Sequence, residues 1–331
     1  MEDAPRTKRR RTDAAADETA PLVRSDEFWF DDGNIILQVE STQFRVAKSV
    51  LSRQSSVFRD MFALPLPADE PTVEGCPVAV LQGDTELDWV LFLAVLYPTS
   101  YVEEAPTVGL LAAMLRLSKK YDFPVFRKDC LSRLKTQFPT TLREFDGRVS
   151  SGWTLIKFQS ATSYRDLVSL AREVGLLSIL PAIYAEMLTH RQSEYVLLMS
   201  RLQVGFFTPS DRLPFLAGYA NLLEQQSRTT FAWLDWRGAF DDSPVPSESC
   251  TRPHECLAAV KKVALDLFST YYPTNIKALA LWDQDWGKDL CRVCRKDAKA
   301  VFDAGRAECW EELPYTFGFP DWDELKALDF E

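Results

Sequence analysis

Four of the chain's seven cysteines fall into two short-spaced pairs, Cys250-x5-Cys256 and Cys291-x2-Cys294. Zinc takes four soft ligands in a tetrahedron, and paired cysteines at short spacing supply two from each arm. The first pair falls at a loop-to-helix junction. The second opens or sits early in a helix, where the N-terminal dipole favours thiolate. His254 lies between Cys250 and Cys256 and could replace one of them. The competing reading is that buried free cysteines act as small hydrophobes. One CxxC is a weak signal and the C-x5-C arm is unusual, so a structural zinc site and ordinary packed thiols both stand as expectations. Cys76, Cys130 and Cys309 read as core or half-exposed thiols.

Catalytic patterns are missing. The chain has two histidines, His190 and His254. His254-Glu255 has no later histidine to complete a metalloprotease helix, and neither G-x-S-x-G nor G-x-G-x-x-G occurs. Gly147-x4-Gly152 is followed by Trp153 rather than lysine, so it is not a phosphate loop. Cys291 follows Leu290, not the proline of the zinc-deaminase signature. Asp31-Asp32 and Asp241-Asp242 suit turns. We therefore expect no enzyme, no catalytic residue and no certain cofactor.

Composition narrows the class further. A chain of 331 residues, 46% hydrophobic, has enough apolar surface for about two domains. A net charge of −10 repels phosphate backbones, so direct nucleic-acid binding is not expected. No apolar run reaches the roughly 18 residues of a membrane span, and the first 21 residues lack the apolar stretch of a secretory signal. These features predict a nuclear or cytoplasmic protein, neither secreted nor membrane-bound, with its cysteines reduced.

The elements that must position these residues can be read from periodicity. Residues 1–24 are polar and non-periodic and read as a disordered basic tail. Asp31-Asp32-Gly33-Asn34 is a turn in which Gly33 is expected at positive φ. Ile35 to Val39 is a strand, Ser41-Thr42-Gln43 a turn, and Phe44 to Val46 a second strand, together a β-hairpin. Ser55 is placed to cap a helix bearing Val57, Phe58, Met61 and Phe62. Pro77 to Leu81 is a third strand and Asp88 to Tyr97 a buried helix. Leu110 to Lys120 and Val125 to Phe138 form a helical hairpin. Residues 139–152, with Pro139, Gly147 and Gly152, mark a boundary. Helices follow over 164–188 (broken near Gly175), 193–206, 212–236, 257–271 and 290–310, with a loop over 238–254. Residues 164–188 loosely echo the Leu110 hairpin.

The motif residues of the N-terminal part carry a resemblance. The Asp-Gly turn precedes Ile35-Ile36-Leu37. Phe44, Val46, Lys48, Val50 and Leu51 follow at the spacing F-x-(A/V)-H-(K/R)-x-(V/I)-L, and Ser55 and Phe58 complete S-x-x-F. This pattern resembles the BTB (POZ) domain over residues 26–138. The family's usual histidine is Ala47 here, and the acidic residue that opens its first strand is Asn34. The whole layout, ending in Trp310-Glu311-Glu312-Leu313-Pro314 and Phe317-Gly318-Phe319, is similar to fungal BTB proteins. The resemblance implies an α+β fold: a short β-sheet flanked by helices over 26–138, then a mainly helical region over 153–331. It also implies a protein-interaction module that self-associates as a homodimer and recruits an unknown client. Many such domains engage a cullin-type ubiquitin ligase scaffold as substrate adaptors. The 62–75 loop shows no clean hydrophobic-x-Glu signature that would favour cullin binding. The alternative is a nuclear scaffold or transcriptional regulator without ligase involvement.

The termini bear on that alternative. Lys8-Arg9-Arg10-Arg11 suits a nuclear import signal, or is a solvated charge run without a role. Residues 308–331 hold eight acidic side chains against Lys326 alone, mixed with six aromatics. That segment either docks on a partner or packs back onto the helical region. So many rings would make a sticky free tail, which favours packing back.

Overall fold

The computed structural model describes residues 21–65, 72–98, 105–151, 154–160, 162–190, 208–235, 244–268 and 276–330. The fold class is α+β. The chain divides into two compact units, one of residues 1–99 with 121–123, the other of residues 100–120 with 124–331.

The first unit is built on a five-stranded sheet in the order β1-β3-β2-β5-β4. Its strands are β1 (Val23–Trp29), β2 (Ile35–Val39), β3 (Thr42–Val46), β4 (Thr72–Val73) and β5 (Cys76–Val80). β2 occupies the centre, antiparallel to β3 and parallel to β5. A central strand covered on both faces needs a continuous apolar run, and Ile35, Ile36 and Leu37 are all buried. Among the described residues, helices α1 (Lys48–Gln54), α2 (Ser56–Ala63) and α3 (Glu86–Leu96) complete this unit's regular structure. Its core is aromatic. Phe58 stacks on Tyr121 at 4.8 Å between ring centres and meets Trp89 edge-on at 5.9 Å, while Phe92 lies 4.7 Å from Phe123.

Three local expectations need correction. Val39 pairs with Thr42, so the hairpin closes through Glu40-Ser41 alone, and Thr42 and Gln43 belong to the strand. Glu40 takes the left-handed backbone, φ 51°, that such a two-residue loop demands. Gly33 is not at positive φ. A side chain there would sit 2.7 Å from Cγ of Arg45 and 2.9 Å from the Phe30 carbonyl, so close approach is what requires glycine. The structured chain also begins earlier than composition implied. β1 starts at Val23, whose amide donates to the Ser41 carbonyl at 2.8 Å, and runs parallel to β3. Its backbone partners come from a strand nearly twenty residues away, which no local pattern reveals.

The second unit is helical. Helices α4 (Val108–Tyr121) and α5 (Pro124–Gln137) are joined through Asp122 at φ 51°. α7 (Thr162–Val174) and α8 (Leu180–His190) are joined through Gly175 at φ 74° and a 3-10 turn, Leu177–Ile179. The loose echo between these stretches thus corresponds to two helix pairs, each broken by a left-handed residue. Between them, residues 142–151 form a helix, α6 (Leu142–Ser151), where glycines and serines had suggested only a connector. Phe145 on its inner side is buried and packs 5.0 Å from Trp310. Then come α9 (Pro209–Arg228), α10 (Pro253–Phe268), α11 (Arg292–Glu311), α12 (Leu313–Thr316) and α13 (Trp322–Ala327). The helix expected over 193–206 and the basic run Lys8 to Arg11 lie outside the described residues.

The C-terminal aromatics pack inward. Trp310, Phe317 and Trp322 are buried, Trp310 stacks on Trp322 at 5.4 Å, and the Trp322 indole donates to the Trp310 carbonyl at 2.9 Å. Tyr315 and Phe330 remain exposed, with the cations of Arg127 and Lys135 over the Phe330 ring. Among the described residues no helix is long and apolar enough to cross a membrane.

Candidate metal centre

The two cysteine pairs converge. Cys250 lies in the loop before α10, and Cys256 lies in that helix's first turn, two residues past His254. Pro253 opens the helix with φ already fixed, and Arg252 accepts from the Cys256 amide at 3.0 Å. Cys291 is the N-cap of α11, and its sulfur accepts from the Cys294 amide at 3.5 Å. The four sulfurs lie within 4.8 Å of one another. Cys250 is 3.7 Å from Cys256 and 3.8 Å from Cys291, sulfur to sulfur. All seven cysteines of the chain are free thiols.

Backbone amides complete the surroundings. The Cys291 amide donates to the Cys256 sulfur at 3.3 Å, and the Ser247 amide donates to that of Cys294 at 3.4 Å. The Cys294 amide beside it draws the Cys291 thiol down to about 7, while burial pushes the thiols of Cys256 and Cys294 up. Cys256 and Cys294 are fully buried and Cys250 and Cys291 half-buried. They sit on a core containing Phe231, Trp233 and Phe302, with Trp282 and Trp286 against it. The donor set is thus four sulfurs with no imidazole and no carboxylate. All four come from the protein, which leaves no position of a tetrahedron open to substrate.

His254, a possible replacement ligand by spacing, is exposed and outside the cluster. Its neighbour two positions on, Cys256, faces inward, so a helical turn points the imidazole elsewhere. Cys76, Cys130 and Cys309 are buried. Ser247 was not legible as a contributor, because it acts through its backbone amide. Among the described residues no other set of three or more histidine, cysteine or acidic side chains converges as these four do.

The motif residues of the first unit have structural tasks. Phe44, Val46, Leu51 and Phe58 are buried, and Val50 is half-buried. Lys48 opens α1, its amide donating to Asn34 Oδ1 at 2.8 Å, while its ammonium lies 5.5 Å from the Phe62 ring centre. Asn34 therefore caps α1 across the hairpin. Ser55 caps α2 by accepting from the Phe58 amide at 3.0 Å, and its hydroxyl donates to the buried Tyr121 carbonyl. Ser55→Ala would remove a cap and the hydroxyl's own hydrogen bond to that carbonyl. The expected loss is about 2–3 kcal/mol, read as a lower denaturant midpoint at unchanged slope. A loss below about 0.5 kcal/mol would mean that water takes over both bonds.

No curated protein matches the chain. Residues 31–138, which hold β2 to β5, α1 to α5 and all seven motif residues, match the family model of the BTB/POZ domain. The chain carries a BTB/POZ domain, a protein-interaction fold, followed by a helical region.

Proposed function

We propose that the chain is a binding protein, not a catalyst: it self-associates through its BTB/POZ domain, and the helical region receives a client. The observation that carries self-association is the outer edge of the sheet. Among the described residues β1 is an end strand, bonded to β3 on one side. At its start Leu22 and Val23 are more than half exposed. An unpaired strand edge with apolar side chains is a template for another strand, and backbone hydrogen bonds across it would join two copies.

The test is the solution mass of the full chain at micromolar concentration by light scattering. Wild type should run at twice the chain mass, and Leu22→Asp with Val23→Asp should run as a monomer with unchanged circular dichroism. A monomeric wild type overturns the reading. Purification from the native cell then separates the finer alternatives. A cullin scaffold that stays bound to the full chain, and not to a version lacking residues 26–138, makes it a ligase substrate adaptor. The basic run Lys8-Arg9-Arg10-Arg11 favours the second reading, a nuclear scaffold or transcriptional regulator. Nuclear residence without a bound cullin is its signature.

A further inference from the structure

We propose that Cys250, Cys256, Cys291 and Cys294 bind one zinc(II) ion in a closed, structural four-sulfur site that ties the loop before α10 to the start of α11. Sulfur spacing carries the inference. A regular tetrahedron with metal–sulfur bonds of about 2.3 Å has sulfur–sulfur edges of about 3.8 Å. The separations of 3.7 and 3.8 Å match that edge, and the remaining pairs stay within 4.8 Å. A disulfide would bring two sulfurs to about 2.05 Å. Random packing of small apolar side chains gives no reason for four thiols from two segments to meet at one point.

The surroundings suit a dianion. Binding replaces four S–H bonds with four sulfur–metal bonds, so one zinc(II) enters, up to four protons leave, and the centre carries two negative charges. α10 and α11, of 16 and 20 residues, both present their N-termini to it. Their positive dipole ends offset that charge. The amides of Ser247, Cys291 and Cys294 donate to three of the sulfurs, as thiolate ligands require of their outer partners. With all four positions filled by cysteine, no vertex is left for water, and the role is to hold the fold. The site has no part in the dimer contact proposed at β1, so the two ideas fail independently.

Metal analysis of the full chain, purified without chelator, tests this. We expect one zinc per chain. It should be lost in Cys256→Ser with Cys294→Ser and retained in Cys76→Ser, whose cysteine lies in the first unit. Should the double variant fail to fold, wild type stripped and refilled with cobalt(II) gives the same answer. Tetrahedral four-sulfur cobalt shows intense visible bands and thiolate-to-metal charge transfer. Zinc that survives the double substitution overturns the proposal. So does a wild type that holds no stoichiometric metal and gives no cobalt spectrum, or one whose intact mass is lower by the two hydrogens that each disulfide among these cysteines removes.

Discussion

Asp146→Ala is expected to destabilise the helical unit by about 3 kcal/mol, the lower end of the range for stranding a buried charge. Arg306 on α11 is 6% exposed. Its guanidinium forks onto both carboxylate oxygens of Asp146 on α6, one of them at 2.8 Å, and donates twice to the Leu279 carbonyl at 3.1 Å. Removing the carboxylate leaves a buried cation with only a carbonyl for company. The Asp146 side chain is 31% exposed, so water enters part of the vacated space, which sets the estimate low in the range. Replacing both residues, Arg306→Met with Asp146→Leu, should recover most of the loss, because an apolar pair of similar volume carries no stranded charge. Urea midpoints of the three variants decide it. A double variant as unstable as the single one would locate the cost in packing instead of charge.

Much of the fold was readable from residue order because it rests on local periodicity. The stripe from Leu110 to Leu117 gave α4, and the helix read over Val125 to Phe138 is α5, which starts one residue earlier, at Pro124, and ends at Gln137. Ser55, three residues before Phe58, gave a cap that forms as expected. The misses share one cause. β1, the Asn34 cap on α1 and the inward face of α6 all depend on partners far away in sequence. Gly33 illustrates it: an Asp-Asp-Gly-Asn string reads as a left-handed turn, yet the constraint comes from Arg45, twelve residues on, lying across the glycine.

The cysteine cluster shows the same division. Spacing identified all four thiols and the helix start that carries Cys291 and Cys294, because a CxxC at an N-cap is local. Spacing could not choose between Cys250, Cys256 and His254 as members of the cluster from the other arm, since that choice is one of direction. Pro253 starts α10 and fixes the turn, so Cys256 faces inward and His254 faces out. The aromatic shelf of Trp282, Trp286 and Phe302 beneath the thiols comes from one further segment and from farther along α11, and nothing in the cysteine motifs announces it.

Gly305→Ala should cost about 3 kcal/mol despite the gain in helix propensity. Alanine in a helix interior is ordinarily about 1 kcal/mol better than glycine. At this point on α11, however, a methyl carbon would fall 2.6 Å from the Thr230 amide nitrogen and nearer still to the Thr229 carbonyl. These are backbone atoms, and they cannot yield. The Thr229 amide and hydroxyl bond to the Gln225 carbonyl at 3.0 and 2.9 Å, and the Thr230 hydroxyl donates to the Ala278 carbonyl at 2.7 Å. Either α11 moves away or those bonds break, and overpacking of this kind costs about 1–3 kcal/mol or more. Gly147→Ala is the matched control. It too is helical, but it is exposed and a methyl group there meets nothing within 4 Å, so propensity alone should act and raise stability by about 0.5–1 kcal/mol. Opposite shifts in denaturant midpoint for the two glycine substitutions would establish close approach of α11 to residues 229–230 as the reason glycine is needed. Equal upward shifts would show that the helix relaxes freely at Gly305.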